Sequence, residues 1–365
     1  MTAAALGRRT AFVTGGTGFL GTNLLEVLVS EGWAVTALHR AGSRVEQLER
    51  LGVRRVLGDV TDLGSLRGGM PEGVDAVFHV AANLTFWAPR HREQALVNVG
   101  GTRNVVTVAL ERGARRLVHT SSIAAFGEHA GAVTEETPST AERARLNYFR
   151  TKWQAELEVR RGIAAGLDAV ILNPANIVGP HDRTGWSRVF FLLDQGKLPA
   201  LYPGSASWCH VREVARAHVA AALRGRSGAN YLLGGADAPY AELLRTAAEL
   251  LGRPAPRRTM PEALLRAVAA AAVLPSYVTR REPPVTPEGA YLVCRDVLCR
   301  SGRAERELGY RAVPLRQMLE DAHAWLVEEG LLPRRAEPRA RSGGDRGEGS
   351  SRAGDPRGRT GHPAG

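Results

Sequence analysis

A tyrosine and a lysine four positions apart, Tyr148 and Lys152, have side chains suited to acid–base chemistry. Residues at this spacing share one face of a helix, which brings the ammonium close to the phenol. The ordinary pKa of tyrosine is about 10, and a neighbouring cation favours the phenolate and lowers that pKa. Lysine occurs only at positions 152 and 197, so chance rarely produces this spacing here. The pair predicts general acid–base catalysis by Tyr148.

Ser122 is the third candidate catalytic residue, because it follows a predicted strand at residues 116–120. Ligands bind at the carboxyl ends of the strands in open α/β sheets. A serine hydroxyl at that edge can donate a hydrogen bond to a substrate oxygen on which negative charge develops. We therefore predict a catalytic group of Ser122, Tyr148 and Lys152, in which Ser122 also contacts the substrate.

A glycine-rich segment, GGTGFLG at residues 15–21, lies between a predicted strand at 10–14 and a predicted helix at 20–30. Glycines at such a junction let the backbone turn sharply and approach a pyrophosphate, and the helix N-terminus offers free N–H donors to the phosphates. The segment predicts a dinucleotide-binding loop. The predicted cofactor contacts in it are Gly15, Thr17, Gly18, Phe19 and Leu20.

The elements that position these residues alternate between short apolar strands and helical patterns up to residue 180. This alternation is typical of an α/β fold, a Rossmann-type, doubly wound parallel sheet. Strands are predicted at 10–14, 34–39, 54–57, 76–80, 116–120 and 169–173. Helices are predicted at 20–30, 44–51, 91–112 and 148–165.

After residue 180 the alternation loosens, which indicates a smaller C-terminal lobe. Its predicted elements are strands near 207–211 and 231–233 and helices at 212–223, 241–251, 262–273 and 315–329. We predict a nucleotide-binding Rossmann domain at 8–180 and a mainly substrate-binding lobe at 181–333, some elements of which return to the first domain. Residues 334–365 are rich in Gly, Pro, Ser and Arg, so we expect a disordered basic tail.

The net charge of +11 does not by itself indicate a nucleic-acid partner. Residues 334–365 hold eight Arg and four acidic residues, which leaves the rest of the excess spread thinly over the chain. No basic run is interleaved with aromatic residues, so we predict no nucleic-acid binding. The three cysteines, Cys209, Cys294 and Cys299, form no C-x-x-C pair, which argues against a disulfide framework and a metal site.

No run of apolar residues reaches the length of a membrane span, about 18 residues. The nearest candidate, residues 261–274, contains Arg266, and we expect it to form a buried helix. The N-terminus continues into the glycine segment instead of a signal core. We therefore expect a cytoplasmic protein without a membrane span, either a monomer or a homodimer.

The glycine segment in the register Gly15-x-x-Gly18-x-x-Gly21, together with the Tyr148/Lys152 pair, resembles the extended branch of the short-chain dehydrogenase/reductase family. That branch includes dihydroflavonol reductases, 3β-hydroxysteroid dehydrogenases and nucleotide-sugar epimerases. Further motifs follow in the family's order up to about residue 330. They are Gly58-Asp59-Val60, His79-Val80-Ala81-Ala82, Asn98-Val99-Gly100, Pro174-Ala175-Asn176 and Glu307-Leu308-Gly309.

The resemblance implies roles for these motifs. Asp59 is expected to accept from the adenine amino group, Asn98 to help position the nicotinamide side, and Lys152 to hold the nicotinamide ribose hydroxyls. The remaining cofactor contacts that it implies are Val60, Val80, Ala81, Ala82, Thr120, Tyr148, Pro174, Asn176 and Ile177.

The end of the second strand decides between NADP(H) and NAD(H). Dinucleotide folds that prefer NAD carry an acid there, which binds the ribose 2′-OH. This chain has His39 at that position, followed by Arg40 and Arg44. A guanidinium holds a 2′-phosphate through bidentate, charge-assisted hydrogen bonds. We therefore expect NADP(H) to be preferred and NAD(H) to be possible.

The resemblance leaves the reaction open among reductase, epimerase and dehydratase, because one fold hosts all three. Dehydratases of the branch have Asp-Glu where this chain has Ile123 and Ala124. Sugar-nucleotide epimerases carry an arginine where this chain has Ala206, although Asn176 stands at a position that can bind a diphosphate. We favour a reductase or dehydrogenase. The alternatives are a sugar epimerase and a non-catalytic dinucleotide-sensing protein.

Aromatic residues in segments that cover the substrate in relatives indicate a hydrophobic or aromatic small molecule. The substrate contacts that we predict, in addition to Ser122, are Asn83, Phe86, Trp87 and Trp186. Phe190, Phe191 and Trp208 belong to the same set, but we expect these three to pack within the smaller lobe.

Overall fold

A computed structural model describes residues 8–333. Its strands are β1 (Thr10–Thr14), β2 (Ala34–His39), β3 (Arg54–Leu57), β4 (Ala76–His79), β5 (Leu117–Thr120), β6 (Ala169–Pro174), β7 (Asn176–Val178), β8 (Ser205–His210), β9 (Asn230–Leu233), β10 (Ala236–Pro239) and β11 (Asp296–Val297). Seven of them form a parallel sheet in the order β3-β2-β1-β4-β5-β6-β9. This order is that of a Rossmann-type fold, and the predicted fold class is confirmed.

The helices are α1 (Phe19–Ser30), α2 (Glu46–Arg50), α3 (Leu63–Gly69), α4 (His91–Ala95), α5 (Gly101–Glu111), α6 (Asn147–Ala164), α7 (Arg188–Asp194), α8 (Val211–Arg224), α9 (Tyr240–Leu251), α10 (Glu262–Thr279), α11 (Pro287–Leu292), α12 (Gly302–Leu308) and α13 (Leu315–Glu328). Helices α1 and α8 bury apolar side chains such as Leu25 and Val214 against one face of the sheet. Helices α5 and α6 bury Val105 and Val159 against the other face. The sheet is therefore covered on both sides.

The second sheet is built around β8, which pairs with β10 in the antiparallel sense and with β7 and β11 in the parallel sense. Its core contains Trp208, Phe190 and Tyr240. Phe190 and Trp208 are fully buried, so the expectation that they pack within the lobe is confirmed for these two residues.

Residues 8–332 form one compact unit. Ala304 and Leu308 of α12 pack in the core of the parallel sheet, so a late element returns to the first domain. The boundary at residue 180 stays a prediction, and the predicted tail at 334–365 lies outside the described residues.

The long helix expected at 91–112 is interrupted. A π-helical turn, Leu96–Gly100, separates α4 from α5. Such turns are frequent at functional sites, and this one contains Asn98. The short helices α3, α7, α11 and α12 were not predicted from the sequence. Each has at most two turns, which is too short for a helical spacing of apolar residues to be recognised.

The expectation that residues 261–274 form a buried helix is wrong. Helix α10 extends to Thr279, and its only buried residues are Leu265, Ala269 and Ser276. One narrow stripe packs against the chain, and most of the other residues of the helix are exposed. Among residues 8–333, α10 is the single helix that is long and apolar enough, by length and composition, to cross a membrane.

Candidate active site

The glycine segment connects β1 to α1, and two of its positions, Gly15 and Gly21, accept no side chain. Gly15 has a φ of 76°, and a Cβ atom on it would lie 2.6 Å from the amide nitrogen of Ala81. A Cβ on Gly21 would lie 2.0 Å from the carbonyl oxygen of Gly15. A side chain at either position would collide with backbone, so the chain here needs Gly15 and Gly21. Both glycines belong to the register of the extended short-chain branch.

Helix α1 begins at Phe19 with Gly18 as its N-cap, and no acidic residue stands in its first turn. The first N–H groups of a helix lack intrahelical partners and carry the positive end of the helix dipole. A pyrophosphate fits this end, because the loop around Thr17 and Gly18 brings the backbone close without a side chain in the way.

The loop after β4 lies against the glycine segment. The amide of Val80 donates to the Thr14 carbonyl at 3.2 Å, and the amide of Ala81 donates to Thr14 Oγ1 at 3.4 Å. Val80, Ala81 and Ala82 are half-buried. Their position beside Gly15 places them where the predicted cofactor would pass.

Asn98 positions this loop through its side chain. Its Oδ1 accepts from the Asn83 amide at 2.7 Å, and its Nδ2 donates to the Asn83 carbonyl at 3.0 Å and to Thr151 Oγ1 at 3.2 Å. Asn98 is buried, and Thr151 directly precedes Lys152 on α6. The amide of Asn98 thus ties the cofactor loop to the helix that carries the catalytic residues.

Asp59 has one carboxylate oxygen engaged within the chain. Its Oδ1 accepts from the amide and the hydroxyl of Thr61, both at 2.8 Å, and no described residue bonds Oδ2. The residue is half-buried, and Val60 beside it is buried. The remaining oxygen can accept from the adenine amino group, as the family resemblance predicts.

Arg40 follows the end of β2, and Arg44 lies in the turn before α2. Both side chains are exposed, and neither forms an ion pair with another described residue. The pKa of Glu93 is lowered mainly by its hydrogen bond from Arg90 and to a smaller extent by the charge of Arg40, which therefore lies near this carboxylate. The two guanidinium groups are available to a 2′-phosphate at the edge of the sheet.

The structure brings the three predicted catalytic residues together. Ser122 caps the short 3₁₀ turn Ile123–Phe126, and its hydroxyl lies near enough to the phenol of Tyr148 to affect the pKa of that group. On the same helix face as Tyr148, the buried Lys152 ammonium donates to the Thr120 carbonyl at 3.0 Å. Ser122, Tyr148 and Lys152 therefore surround the carboxyl end of β5, as expected for an open α/β sheet.

The pKa of Tyr148 differs from the sequence expectation. Burial raises it to about 12, and the hydrogen bond from Ser122 opposes that increase. Lys152 does not lower it within the chain, because its ammonium is directed at the Thr120 carbonyl. Burial also lowers the pKa of Lys152 to about 8, with Glu156 acting in the opposite direction. The phenol is therefore protonated at neutral pH.

Glu156, one turn after Lys152, is a functional residue that the sequence reasoning missed. Its Oε1 accepts from Ser121 Oγ and from Asn173 Nδ2, both at 2.6 Å, and its Oε2 accepts from Asn230 Nδ2 at 3.0 Å. These donors come from β6, β9 and the segment after β5, so one buried carboxylate joins three strands to α6. An acid four residues after Lys152 was a local signal, but its partners are distant in sequence.

Three buried histidines lie behind Lys152. His79 Nδ1 pairs with Thr14 Oγ1 at 2.8 Å, and His218 Nε2 pairs with Thr120 Oγ1 at 2.8 Å. The ring of His119 lies 5.3 Å from that of His79, and neither of its nitrogens has a partner among the described residues. Burial lowers the pKa of His79 to about 3 and that of His218 to about 4, and it lowers the pKa of His119 strongly. All three imidazole rings are neutral near pH 7, so Lys152 is the cation among these four buried side chains.

Pro174 ends β6, and Asn176 and Ile177 lie in β7, which follows after one intervening residue. Asn176 is half-buried, and its Oδ1 accepts from Trp186 Nε1 at 3.1 Å. Trp186 itself stacks on Tyr240 at 5.1 Å and meets Trp208 edge-on at 5.0 Å. The structure therefore places Trp186 in an aromatic cluster of the second lobe, connected to the predicted cofactor segment through Asn176.

The predicted substrate residues after β4 separate into two roles. The ring of Phe86 meets that of Tyr148 edge-on at 5.6 Å, so it borders the catalytic phenol. Trp87 is buried, and its Nε1 donates to Ser276 Oγ on α10 at 3.2 Å. Asn83 closes the turn, because its Oδ1 accepts from the Thr85 amide at 3.0 Å. Phe86 is the one of these three that the structure places against the catalytic group.

Comparison with known proteins shows which family the chain belongs to. The model of the NAD dependent epimerase/dehydratase family matches residues 11–234, more than half of the chain. A "Sterol demethylase protein B" of Methylococcus capsulatus is 35% identical, with 88% of this chain and 100% of that protein covered. A "Putative dihydroflavonol 4-reductase" of Synechocystis is 33% identical, with 88% and 95% covered.

A third relative, from Stigmatella aurantiaca, is named 4-hydroxy-2-methyl-3-oxo-4-farnesyl-3,4-dihydroquinoline-1-oxide ketoreductase. It is 31% identical, with 89% of this chain and 99% of that protein covered. Among solved structures, that of gox2253 has a TM-score of 0.77 at 32% identity, covering 88% of this chain and 99% of its own. A Pseudomonas aeruginosa nucleoside-diphosphate-sugar epimerase has a TM-score of 0.73 at 24% identity, covering 89% and 99%, and shows the shared fold.

Proposed function

Because this chain belongs to the NAD-dependent epimerase/dehydratase family, in its extended short-chain dehydrogenase/reductase branch, and is an NAD(P)-dependent oxidoreductase, we propose that it is an NADPH-dependent reductase. Its substrate is a ketone on a hydrophobic or aromatic small molecule, and the reverse reaction oxidises the corresponding secondary alcohol. The observation that carries the proposal is that Ser122 and Tyr148 lie together at the carboxyl end of β5, beside the buried Lys152.

The three side chains have distinct roles in ketone reduction. The cofactor, when bound, supplies the hydride that the carbonyl carbon accepts. Tyr148 donates its proton to the carbonyl oxygen, and a phenol with a pKa of about 12 holds that proton at neutral pH, as a general acid must. Ser122 donates a hydrogen bond to the same oxygen as its negative charge develops. Lys152 would hold the ribose hydroxyls of the cofactor, and the product is an alcohol and the oxidised cofactor.

A hydrophobic substrate is supported by the side chains around Tyr148. Phe86 borders the phenol at 5.6 Å, and Tyr148 packs against an apolar cluster that includes Ala124, Leu146 and Phe149. Aromatic side chains provide large apolar contact areas. The names of two relatives, a farnesyl-quinoline ketoreductase and a dihydroflavonol reductase, refer to substrates of this kind.

The position where sugar-nucleotide epimerases carry an arginine favours the reductase. Ala206 is fully buried on β8 and pairs with Ala238 and Val297 on its two sides. A guanidinium at that position would be buried among apolar side chains of the lobe core, at a large desolvation cost. The chain therefore lacks that cation for a substrate diphosphate.

The cofactor preference follows from Arg40 and Arg44. We expect the wild type to bind NADPH at least about tenfold more tightly than NADH, which corresponds to about 1.4 kcal/mol. Arg40→Asp should shift the preference toward NADH, because a carboxylate repels the 2′-phosphate and accepts from a 2′-OH. Fluorescence titration with both cofactors measures this. The control is Arg311→Asp, an exposed arginine elsewhere on the chain, which should leave the ratio unchanged; equal affinities in the wild type would contradict the assignment.

The reaction itself is tested with NADPH and a panel of aromatic and alicyclic ketones, with common nucleotide sugars as a second set. A reductase consumes NADPH in proportion to the alcohol formed, so absorbance at the nicotinamide band falls. An epimerase returns the hydride to its substrate and consumes none. Formation of a sugar stereoisomer without loss of NADPH would replace our proposal with the epimerase, and tight NADPH binding without turnover of any compound would favour the dinucleotide-sensing role.

We propose the cytoplasm as the compartment, since Cys209, Cys294 and Cys299 are all free thiols in the structure and such thiols persist in a reducing environment. We keep a monomer or a homodimer as the proposed assembly.

A further inference from the structure

Helix α10 carries an unusual share of the exposed apolar surface. Of the ten large hydrophobic side chains that are exposed among residues 8–333, five lie on this helix, and Leu274 and Val278 are 69% and 87% exposed. The five are Leu264, Val268, Leu274, Tyr277 and Val278. At 100° per residue they cover the side of the helix away from its buried stripe. Contiguous exposed apolar surface of this kind marks an interaction site.

Cationic side chains stand at both ends of α10. Arg257 and Arg258 precede the helix, and Arg280 and Arg281 follow it directly. All four are exposed, and none forms an ion pair with another described residue. We therefore expect the apolar face of α10 to contact a surface whose polar groups are negatively charged.

The same helix contacts the loop that carries Phe86. Ser276, on its buried stripe, accepts from Trp87 Nε1 at 3.2 Å, and Glu282, just after the helix, accepts from Thr85 Oγ1 at 3.1 Å. Phe86 lies in the chain between Thr85 and Trp87, and its ring meets that of Tyr148. The exposed end of α10 and the catalytic phenol are thus separated by a single loop.

We propose that α10 binds the surface of an anionic membrane, with Leu274, Tyr277 and Val278 in the boundary between headgroups and acyl chains. Helix α10 lies on the bilayer and does not cross it, because its stripe at Leu265 and Ala269 stays packed on the chain. A lipophilic substrate then reaches Tyr148 from the bilayer, past the loop that holds Phe86. That last step rests on the proposed function, whereas the membrane contact does not.

A second copy of this chain fits the helix less well than a membrane. Two apposed α10 helices would lie parallel or antiparallel, and the arginines at both ends would meet arginines of the partner in either orientation. Like charges at such a contact oppose association. An anionic bilayer neutralises all four arginines and covers the apolar face at the same time.

Sedimentation of the full-length chain with vesicles tests the proposal. The vesicles are phosphatidylcholine alone or with about 30 mol % phosphatidylglycerol, which sets the surface charge. We expect binding to the anionic vesicles and weaker binding to the neutral ones. The triple variant Leu274→Ser, Tyr277→Ser, Val278→Ser should bind the anionic vesicles about 100-fold more weakly, because three apolar side chains no longer insert.

A second variant tests the charges. Arg280→Gln with Arg281→Gln should bind anionic vesicles about 25-fold more weakly and neutral vesicles as before, since each cation near the surface contributes about fivefold. The control is Leu223→Ser, an exposed leucine on α8, which should bind like the wild type. Every variant keeps residues 334–365, so the charge of that segment is the same throughout, and melting temperatures verify that each variant is folded.

Three results would overturn the membrane contact. The first is that the wild type does not bind anionic vesicles, and the second is that the triple variant binds them as tightly as the wild type. The third is that the wild type is a dimer and the triple variant a monomer, while neither binds vesicles. Reduction of a water-soluble ketone by the wild type is measured separately. Vesicle binding without ketone reduction refutes the proposed function alone, and ketone reduction without vesicle binding refutes the membrane contact alone.

Discussion

Tyr148→Phe should bind NADPH nearly as tightly as the wild type, while its turnover of a ketone falls by about 10²–10⁴, the contribution typical of a positioned acid–base group. The substitution removes one oxygen from a half-buried ring, so the packing with Phe86 and Phe149 is preserved. Stopped-flow or steady-state loss of NADPH absorbance measures turnover, and fluorescence titration measures binding. Separate readouts are needed because the proposed role concerns the proton alone.

Tyr231→Phe is the matched control for this substitution. It removes the same hydroxyl from β9, where the phenol donates to Glu307 at 2.6 Å and accepts from the Arg226 amide at 3.0 Å. We expect a modest loss of stability and unchanged turnover. Near-normal turnover in Tyr148→Phe would remove Tyr148 from the mechanism, and an equal loss in both variants would indicate a structural effect.

Lys152→Met should abolish most activity and, at neutral pH, stabilise the fold. Burial holds the pKa of Lys152 at about 8, below its ordinary value of 10.5. Between these two values the folded chain binds fewer protons than the unfolded chain, so stability rises with pH across this window. Below about pH 8 the charged lysine is buried at its full cost. Methionine carries no such cost and keeps the length of the side chain.

The free energy of unfolding, measured with denaturant at pH 7 and pH 9.5, tests this. The advantage of Lys152→Met should be largest at pH 7 and shrink by about 1 kcal/mol for each pH unit above pH 8. Lys197→Met replaces the other lysine, which is exposed, and should show no such trend. A stability difference for Lys152→Met that does not change with pH would show that the ammonium is not desolvated. NADPH titration of the same variant should show weaker binding, because Lys152 is placed to hold the ribose.

Tyr148→Phe and Lys152→Met together distinguish an effect on turnover from an effect on the stability of the fold. Glu156 is a buried carboxylate with three hydrogen-bond donors, and Lys152 is a buried cation with one carbonyl partner. Functional groups held in this way cost stability that the rest of the fold must supply. A stabilised, inactive Lys152→Met variant would demonstrate this trade-off directly.

The sequence by itself determined the elements that depend on local patterns. The bounds of β1, β2 and β3 agree with the predicted strands at 10–14, 34–39 and 54–57, because apolar segments bounded by turn residues specify short buried strands. The glycine segment and the Tyr148/Lys152 pair were also identifiable, since both consist of fixed spacings within one strand–helix junction or one helix. Such spacings place side chains on one face or in one turn, whatever the rest of the chain does.

The tertiary structure alone decided burial and partners. The pKa of Tyr148 rises because burial disfavours the charged phenolate, although its neighbour in the helix is a lysine. Glu156 meets Asn230 across 74 positions of the chain, and Trp186 stacks on Tyr240 in the second lobe and is not one of the residues found against Tyr148. Helix α10 has the composition of a buried helix, yet only one stripe finds a surface to pack against. Spacing along the chain fixes which residues share a face, but how deeply that face is buried depends on elements that are remote in sequence.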